Sequence, residues 1–184
     1  DLQMHQALLA EIIREAAEPH SNRGVAIETK ISDGHKGGID EPYIIRRPEI
    51  IHGLRNMIQN AVDFATSKVW VESSWTKEAI NITISDDGYG YPPNLLGRLG
   101  DPFLGTKIGK ENRQGYEGMG LGLFIAKTLL ERTGAKISFS NGHKNQKPSQ
   151  SQSAPSGAIV DIYWPRKKVE TTSNLFGENQ NFSI

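Results

Sequence analysis

The sequence predicts a two-layer α/β sandwich, a mixed and mostly antiparallel sheet with helices on one face. Three observations carry that prediction. Apolar residues recur at helical spacing in three well-separated stretches, at Leu8 to Ala16, Ile51 to Ala65 and Leu123 to Leu130. Between them lie runs of strand type, two of which, KVWVESSW (68–75) and AINITIS (79–85), are separated by only a three-residue turn and so form an antiparallel hairpin. Glycines and acidic residues cluster just after a strand and just before a helix, where layered α/β folds carry their ligand loops.

With 184 residues the chain is long enough to bury a core. Lys plus Arg and Asp plus Glu number 21 each, so the balance advertises no strongly basic face for wholesale binding of nucleic acid or of an anionic membrane, although a local patch would escape this count. The chain contains no cysteine, which excludes disulfides, thiol nucleophiles and thiolate metal sites and suits a cytoplasmic compartment. No apolar run reaches the roughly 18 residues that span a bilayer. The chain opens on Asp1 rather than Met, as expected for a piece of a longer protein.

From Leu2 to about Ala17 the periodicity predicts an amphipathic entry helix that Pro19 ends. VAIETKI (25–31) alternates as a half-buried strand, and Tyr43 to Arg46 is a short one. Pro48 then suits the first turn of a long helix reaching about Thr66, with Glu49 favouring its positive end. After the hairpin, Pro92 and Pro93 open a short helix through Leu99. Gly134 ends the helix that follows the glycine-rich stretch, KISFS (136–140) is a strand, and AIVDIYW (158–164) closes the sheet. Residues 141–157, rich in Ser, Gln, Lys and Pro, read as a flexible connection within one domain spanning 1–165, and 166–184 as a polar, disordered tail.

Four features stand out against this frame. Asn56 and Asn60 sit four apart on the long helix, where asparagine is unfavourable because its amide competes for backbone hydrogen bonds. Two such carboxamides are either solvent-facing polar residues or neutral oxygen donors fit for Mg²⁺, which keeps water and phosphate oxygens around it. Next comes DDGYG (86–90). A carboxylate there can accept from an exocyclic amine while Gly88 and Gly90 let a flat base lie against the backbone; a metal turn and a plain turn are the alternatives. The third is GDPFLGTK (100–107) and the fourth GMGLGL (118–123), which opens a helix whose first N–H groups are free for an anion. The Thr and Lys of the third are reversed relative to a P-loop, and the glycine spacing of the fourth is not that of a dinucleotide fingerprint.

Taken in order, NMIQNA (56–61), DDGYG (86–90), DPF (101–103) and GMGLGL (118–123) resemble the N, DxGxG, F and GxGLGL boxes of the ATP-binding catalytic domain of sensor histidine kinases. That superfamily also holds gyrase B, Hsp90 and MutL. NMIQNAVDFA, GDPFLGTK and GYEGMGLGLFIAKTLLERTGA further resemble the redox-responding RegB/PrrB-type kinases of two-component signal transduction. The resemblance implies a Bergerat-type fold that binds Mg-ATP and donates the γ-phosphate to a histidine. Asn60 becomes the Mg²⁺ ligand and Asp86 the partner of the adenine amino group. Phe64 packs on adenine, while Gly118, Gly120, Gly122 and Leu123 belong to the phosphate-binding turn. Lys107 becomes a lid cation for the triphosphate.

Two departures qualify the carry-over. Asp63 stands where many family members have Lys, so a cation on that helix face is missing. Asn56 stands where hydrolysing relatives carry a Glu that activates water, which favours phosphoryl transfer over hydrolysis. None of the five histidines is followed by Asp or Glu, so the acceptor His is expected on a separate dimerisation domain of the same kinase, with a response regulator downstream and an inner-membrane sensor elsewhere in the protein. A stand-alone ATPase of the gyrase or Hsp90 kind, or a non-catalytic nucleotide-binding module, are the alternatives.

Overall fold

A computed structural model describes residues 5–34, 38–101, 119–142 and 157–171. The expected lid, including Pro102, Phe103, Lys107 and Gly118, lies outside the described residues, as do the interior of the 141–157 connection and the end of the tail.

Five strands form the main sheet: β2 (Ala26–Asp33), β4 (Lys68–Trp75), β5 (Ala79–Asp86), β7 (Ala158–Pro165) and β6 (Lys136–Asn141), in that spatial order. Only β2 and β4 run parallel; the other three pairings are antiparallel, as the alternating sequences and short hairpin turn require. The strand at 158–165 therefore lies inside the sheet, and β6 takes the edge. A separate two-stranded ribbon joins β1 (Gln6–Leu8) to β3 (Tyr43–Ile45). The helices are α1 (Leu9–Ala17), α2 (Pro48–Phe64), α3 (Met119–Arg132) and the short α4 (Arg166–Val169).

The inward residues of the sheet, among them Val69, Val71, Ile80, Ile82, Ile84 and Ile162, are buried beneath Ile12, Leu54, Met57, Ile58, Leu123 and Leu130 of the three longer helices. The opposite sheet face carries Glu72, Thr83 and Asp161 in register, and Thr83 Oγ1 donates to Asp161 across 2.7 Å. Period-two alternation thus separates a dry face from a wet one. Core tryptophans find partners for their N–H groups: Trp75 donates to the carbonyl of Ile39 at 2.8 Å and Trp164 to Thr133 Oγ1 at 2.9 Å. Helices α2 and α3 pack closely because Gly53 has no side chain, and a Cβ there would lie 2.5 Å from Cγ of Leu130.

Three expectations need correction. The entry helix begins at Leu9, because residues 6–8 hydrogen-bond with β3 instead, a tertiary pairing that helical periodicity does not reveal. The segment after Pro93 holds only a 3₁₀ turn at Leu96–Arg98. The fold also continues past Pro165: α4 buries Val169, and Arg166 makes a 2.6 Å ion pair with Glu170.

Candidate functional site

The candidate site residues lie at the end of α2, at the end of β5 and in the first turn of α3. Along α2, Asn56 and Asn60 are partly exposed on a side away from the buried stripe of Leu54, Ile58, Ala61 and Val62. Neither asparagine side chain is hydrogen-bonded to another described residue. Phe64, the last residue of α2, packs part-buried against the core, and its carbonyl abuts Gly88 so closely that a Cβ at 88 would collide with it.

Asp86 is the last residue of β5 and is almost wholly buried, with 1% of its surface exposed. Its Oδ1 accepts the N–H of Gly88 at 2.8 Å and that of Ala158 at 3.2 Å. Its Oδ2 is buried with no partner among the described residues. Burial drives the carboxyl above its ordinary value, the two amide bonds pull it back only in part, and neighbouring Asp87 adds a small upward push. A buried, unsatisfied acceptor is costly, so this oxygen marks a place where a donor from a ligand belongs.

Asp87 does structural work beside it. One oxygen accepts the N–H groups of Thr66, Ser67 and Lys68 at 2.9, 2.9 and 3.0 Å, and the other accepts the Ser67 hydroxyl at 2.6 Å. Burial pushes this carboxyl up, but the hydrogen bonds from Ser67, Lys68 and Thr66 outweigh it and hold the group below the ordinary carboxylate range. The chain leaving α2 is thereby tied to the acidic turn.

Beyond the turn, Gly90 has φ of +79°, a left-handed conformation suited to glycine. Tyr89 is 85% exposed, whereas Tyr91 is buried and makes an edge-to-face contact with Phe139 at 5.8 Å. Burial raises the Tyr91 hydroxyl well above its usual range, and the Asp86 charge adds to that. The side chain of Asn141 grips the backbone of Tyr91: the Tyr91 N–H donates to Oδ1 and Nδ2 donates to the Tyr91 carbonyl, both at 2.7 Å. Gly157, buried, donates its N–H to the Asp86 carbonyl at 3.0 Å and abuts Asp86 Oδ1 so tightly that no side chain fits.

Asn141 and Gly157, the two ends of the stretch expected to be a flexible connection, are therefore both fixed to the Asp86–Tyr91 turn. Nothing in the Ser/Gln-rich composition between them points to it; only the strand patterns on either side, extended by one residue each, reach these positions.

Gly120 and Gly122 fall in the first turn of α3, and Leu123 is buried in the core and anchors that turn. Among the described residues, nothing lies within 4 Å of where a Cβ at Gly122 would be. Asp63, at the end of α2, pairs with Arg23 across 2.7 Å, which neutralises the carboxylate that replaces a lysine. The described residues bring together no trio of His, Cys, Asp or Glu able to hold a metal ion.

An α/β sandwich with a helix-borne Asn pair, a buried Asp at a strand end and a glycine-opened helix defines an ATP-binding domain, and a family model described as Histidine kinase-, DNA gyrase B-, and HSP90-like ATPase matches residues 46–168. The chain belongs to that family. It is 52% identical over 183 residues to the sensor histidine kinase RegB of Cereibacter sphaeroides, a match covering 97% of this chain and 40% of that protein. The chain thus spans about two fifths of that relative's length. Among solved structures, the mycobacterial sensor histidine kinase MprB superposes with a TM-score of 0.64 at 18% identity, covering 91% of this chain and 99% of that one. The catalytic domain of histidine kinase ThkA, in a nucleotide-free form, gives 0.61 at 19% identity over 88% of this chain and 95% of its own. These structural likenesses bear out the expected sandwich with helices on one face. No helix among the described residues is long and apolar enough to cross a membrane.

Proposed function

We propose that this domain binds Mg-ATP between α2, the Asp86 turn and the start of α3, and presents the γ-phosphate to a histidine on another domain of a two-component sensor kinase. The observation that carries the reading is Asp86: Oδ1 is held by two backbone amides, and Oδ2 is buried without a partner among the described residues. Such an oxygen accepts the adenine amino group, which guanine replaces with a carbonyl, so the site selects the base.

Phe64 and the glycine-lined turn enclose the base. Gly118, Gly120 and Gly122 let backbone donors of the α3 start approach the phosphates. Asn60 holds the magnesium ion, which neutralises charge on the phosphate oxygens when bound. Asn56 lies one turn before Asn60 and has no proton-accepting power comparable to a carboxylate. It positions rather than deprotonates, so transfer to an acceptor is favoured over hydrolysis. Lys107 is proposed as a lid cation.

The 52% identity to a protein named sensor histidine kinase RegB supports the histidine-kinase reading. On that reading the whole protein carries the acceptor His on a dimerisation domain, passes the phosphoryl group to a response regulator, and holds this domain on the cytoplasmic side of an inner-membrane sensor. The test uses the full-length kinase: Asn60→Ala abolishes autophosphorylation with [γ-³²P]ATP while the protein stays folded. Normal labelling by that variant removes the role given to Asn60. Steady phosphate release by the isolated chain would instead place it with the hydrolysing relatives.

A further inference from the structure

The turn from Asp86 to Tyr91 is anchored at both ends by residues that flank the β6–β7 connection. At its start, the Asp86 carbonyl and Oδ1 accept the N–H groups of Gly157 and Ala158 at 3.0 and 3.2 Å. At its far end, Asn141 takes the N–H of Tyr91 and donates to its carbonyl, each at 2.7 Å. Strand β6 does not neighbour β5, because β7 lies between them. The Asn141 side chain therefore reaches past a whole strand to hold a loop that begins at the end of β5.

The chemistry of the clamp is specific to asparagine. Its amide offers one acceptor and one donor side by side, as a backbone partner in a ladder would. Aspartate accepts only, and serine is too short to present both groups at once. Gly90 fits the clamp from the other side: a Cβ there would lie 2.7 Å from Asn141 Oδ1. Asp87 and Gly88 fix the first half of the turn against residues 64–68, whereas Tyr89 is 85% exposed, so the second half depends on the clamp at Tyr91.

We infer that Asn141 is a positioning residue for the nucleotide: by clamping Tyr91 it holds the Asp86–Tyr91 turn in the one form that keeps Asp86 Oδ2 uncommitted and Gly88 and Gly90 flat against the base. This rests on the Mg-ATP reading. It assigns base recognition to a side chain from the edge strand that does not itself touch the base.

Calorimetric titration of the chain with Mg-ATP and with Mg-GTP, for the wild type, Asn141→Ala and Asn141→Asp, tests it alongside thermal melting of each ligand-free protein. Asn141→Ala is expected to weaken ATP binding about tenfold or more, corresponding to about one lost hydrogen-bonded clamp, and to narrow the preference for ATP over GTP. Asn141→Asp, which keeps only the bond from the Tyr91 N–H, falls between. Wild-type affinity in Asn141→Ala overturns the inference. So does a variant with a lower melting temperature whose folded molecules keep both affinity and base preference, since that is a purely structural role. If Asn141→Ala does not fold, Asn141→Asp decides by the same base preference. A wild-type chain that binds neither nucleotide refutes the Mg-ATP reading itself, a distinct outcome.

Discussion

The N–H of Gly88 donates to Asp86 Oδ1 across 2.8 Å, and that bond decides which oxygen of Asp86 is left over. Because Oδ1 is also taken by Ala158, protonation falls on Oδ2, the buried oxygen without a partner among the described residues. A protonated Oδ2 is a donor and opposes an amino group. Since burial raises this carboxyl above its ordinary value, ATP affinity is expected to weaken as pH falls through that raised value, before the ordinary carboxylate range is reached. Titrations at a series of pH values, with circular dichroism to confirm the fold, check this. An affinity unchanged down to the ordinary carboxylate range contradicts it.

Asp87 has the opposite sign. Its folded pKa lies below 3.8, so it contributes stability that is complete above the unfolded value and is lost as pH falls through the folded one. Asp87→Ala removes an acceptor for three backbone amides and the Ser67 hydroxyl, and is expected to cost about 2 kcal/mol at pH 7. In urea melts, the gap between wild type and variant should shrink as pH is lowered through that acidic range. A gap that stays constant with pH would show that the charge of Asp87 contributes nothing.

Gly53 reports on the contact between α2, which carries Asn60, and α3, whose first turn carries the glycines. Alanine normally favours a helix over glycine by about 1 kcal/mol. Here its methyl would press on Leu130, so Gly53→Ala is expected to destabilise the fold by about 1–3 kcal/mol instead. Adding Leu130→Ala should cost less than the sum of the two single changes, because the methyl then enters the vacated space. A stabilised single variant would contradict the close packing.

The fold was legible where pattern and burial coincide. The stripe of Ile51, Leu54, Ile58 and Val62 and the alternation of β4 and β5 place core residues without knowledge of any contact. What was not legible depends on long-range partners. Gln6, Ala7 and Leu8 continue a helical pattern and become a strand only because Tyr43, Ile44 and Ile45 lie opposite. Arg166 and Val169 look like a polar tail until Glu170 and the core receive them. Among the candidate site residues, Asn60 stood out as a residue type unfavourable in a helix interior, and Asp86 with its glycines as a cluster just past a strand end. Asn141 was hidden by a neighbourhood of Ser, Gln and Lys, and its distinguishing bonds are to a backbone 50 positions away.

The central claim is that Asp86 and Asn60 together define a Mg-ATP site. Calorimetry of the chain with ATP, in Mg²⁺ and in EDTA, for the wild type and Asp86→Asn, tests it most directly. In Asp86→Asn the oxygen must stay with Gly88 and Ala158, so an NH₂ group replaces Oδ2 and faces the adenine amine. The account predicts Mg²⁺-dependent binding with one site in the wild type and a loss of about 10- to 150-fold in the variant. Absence of binding by the wild type, or equal binding by the two proteins, would contradict it.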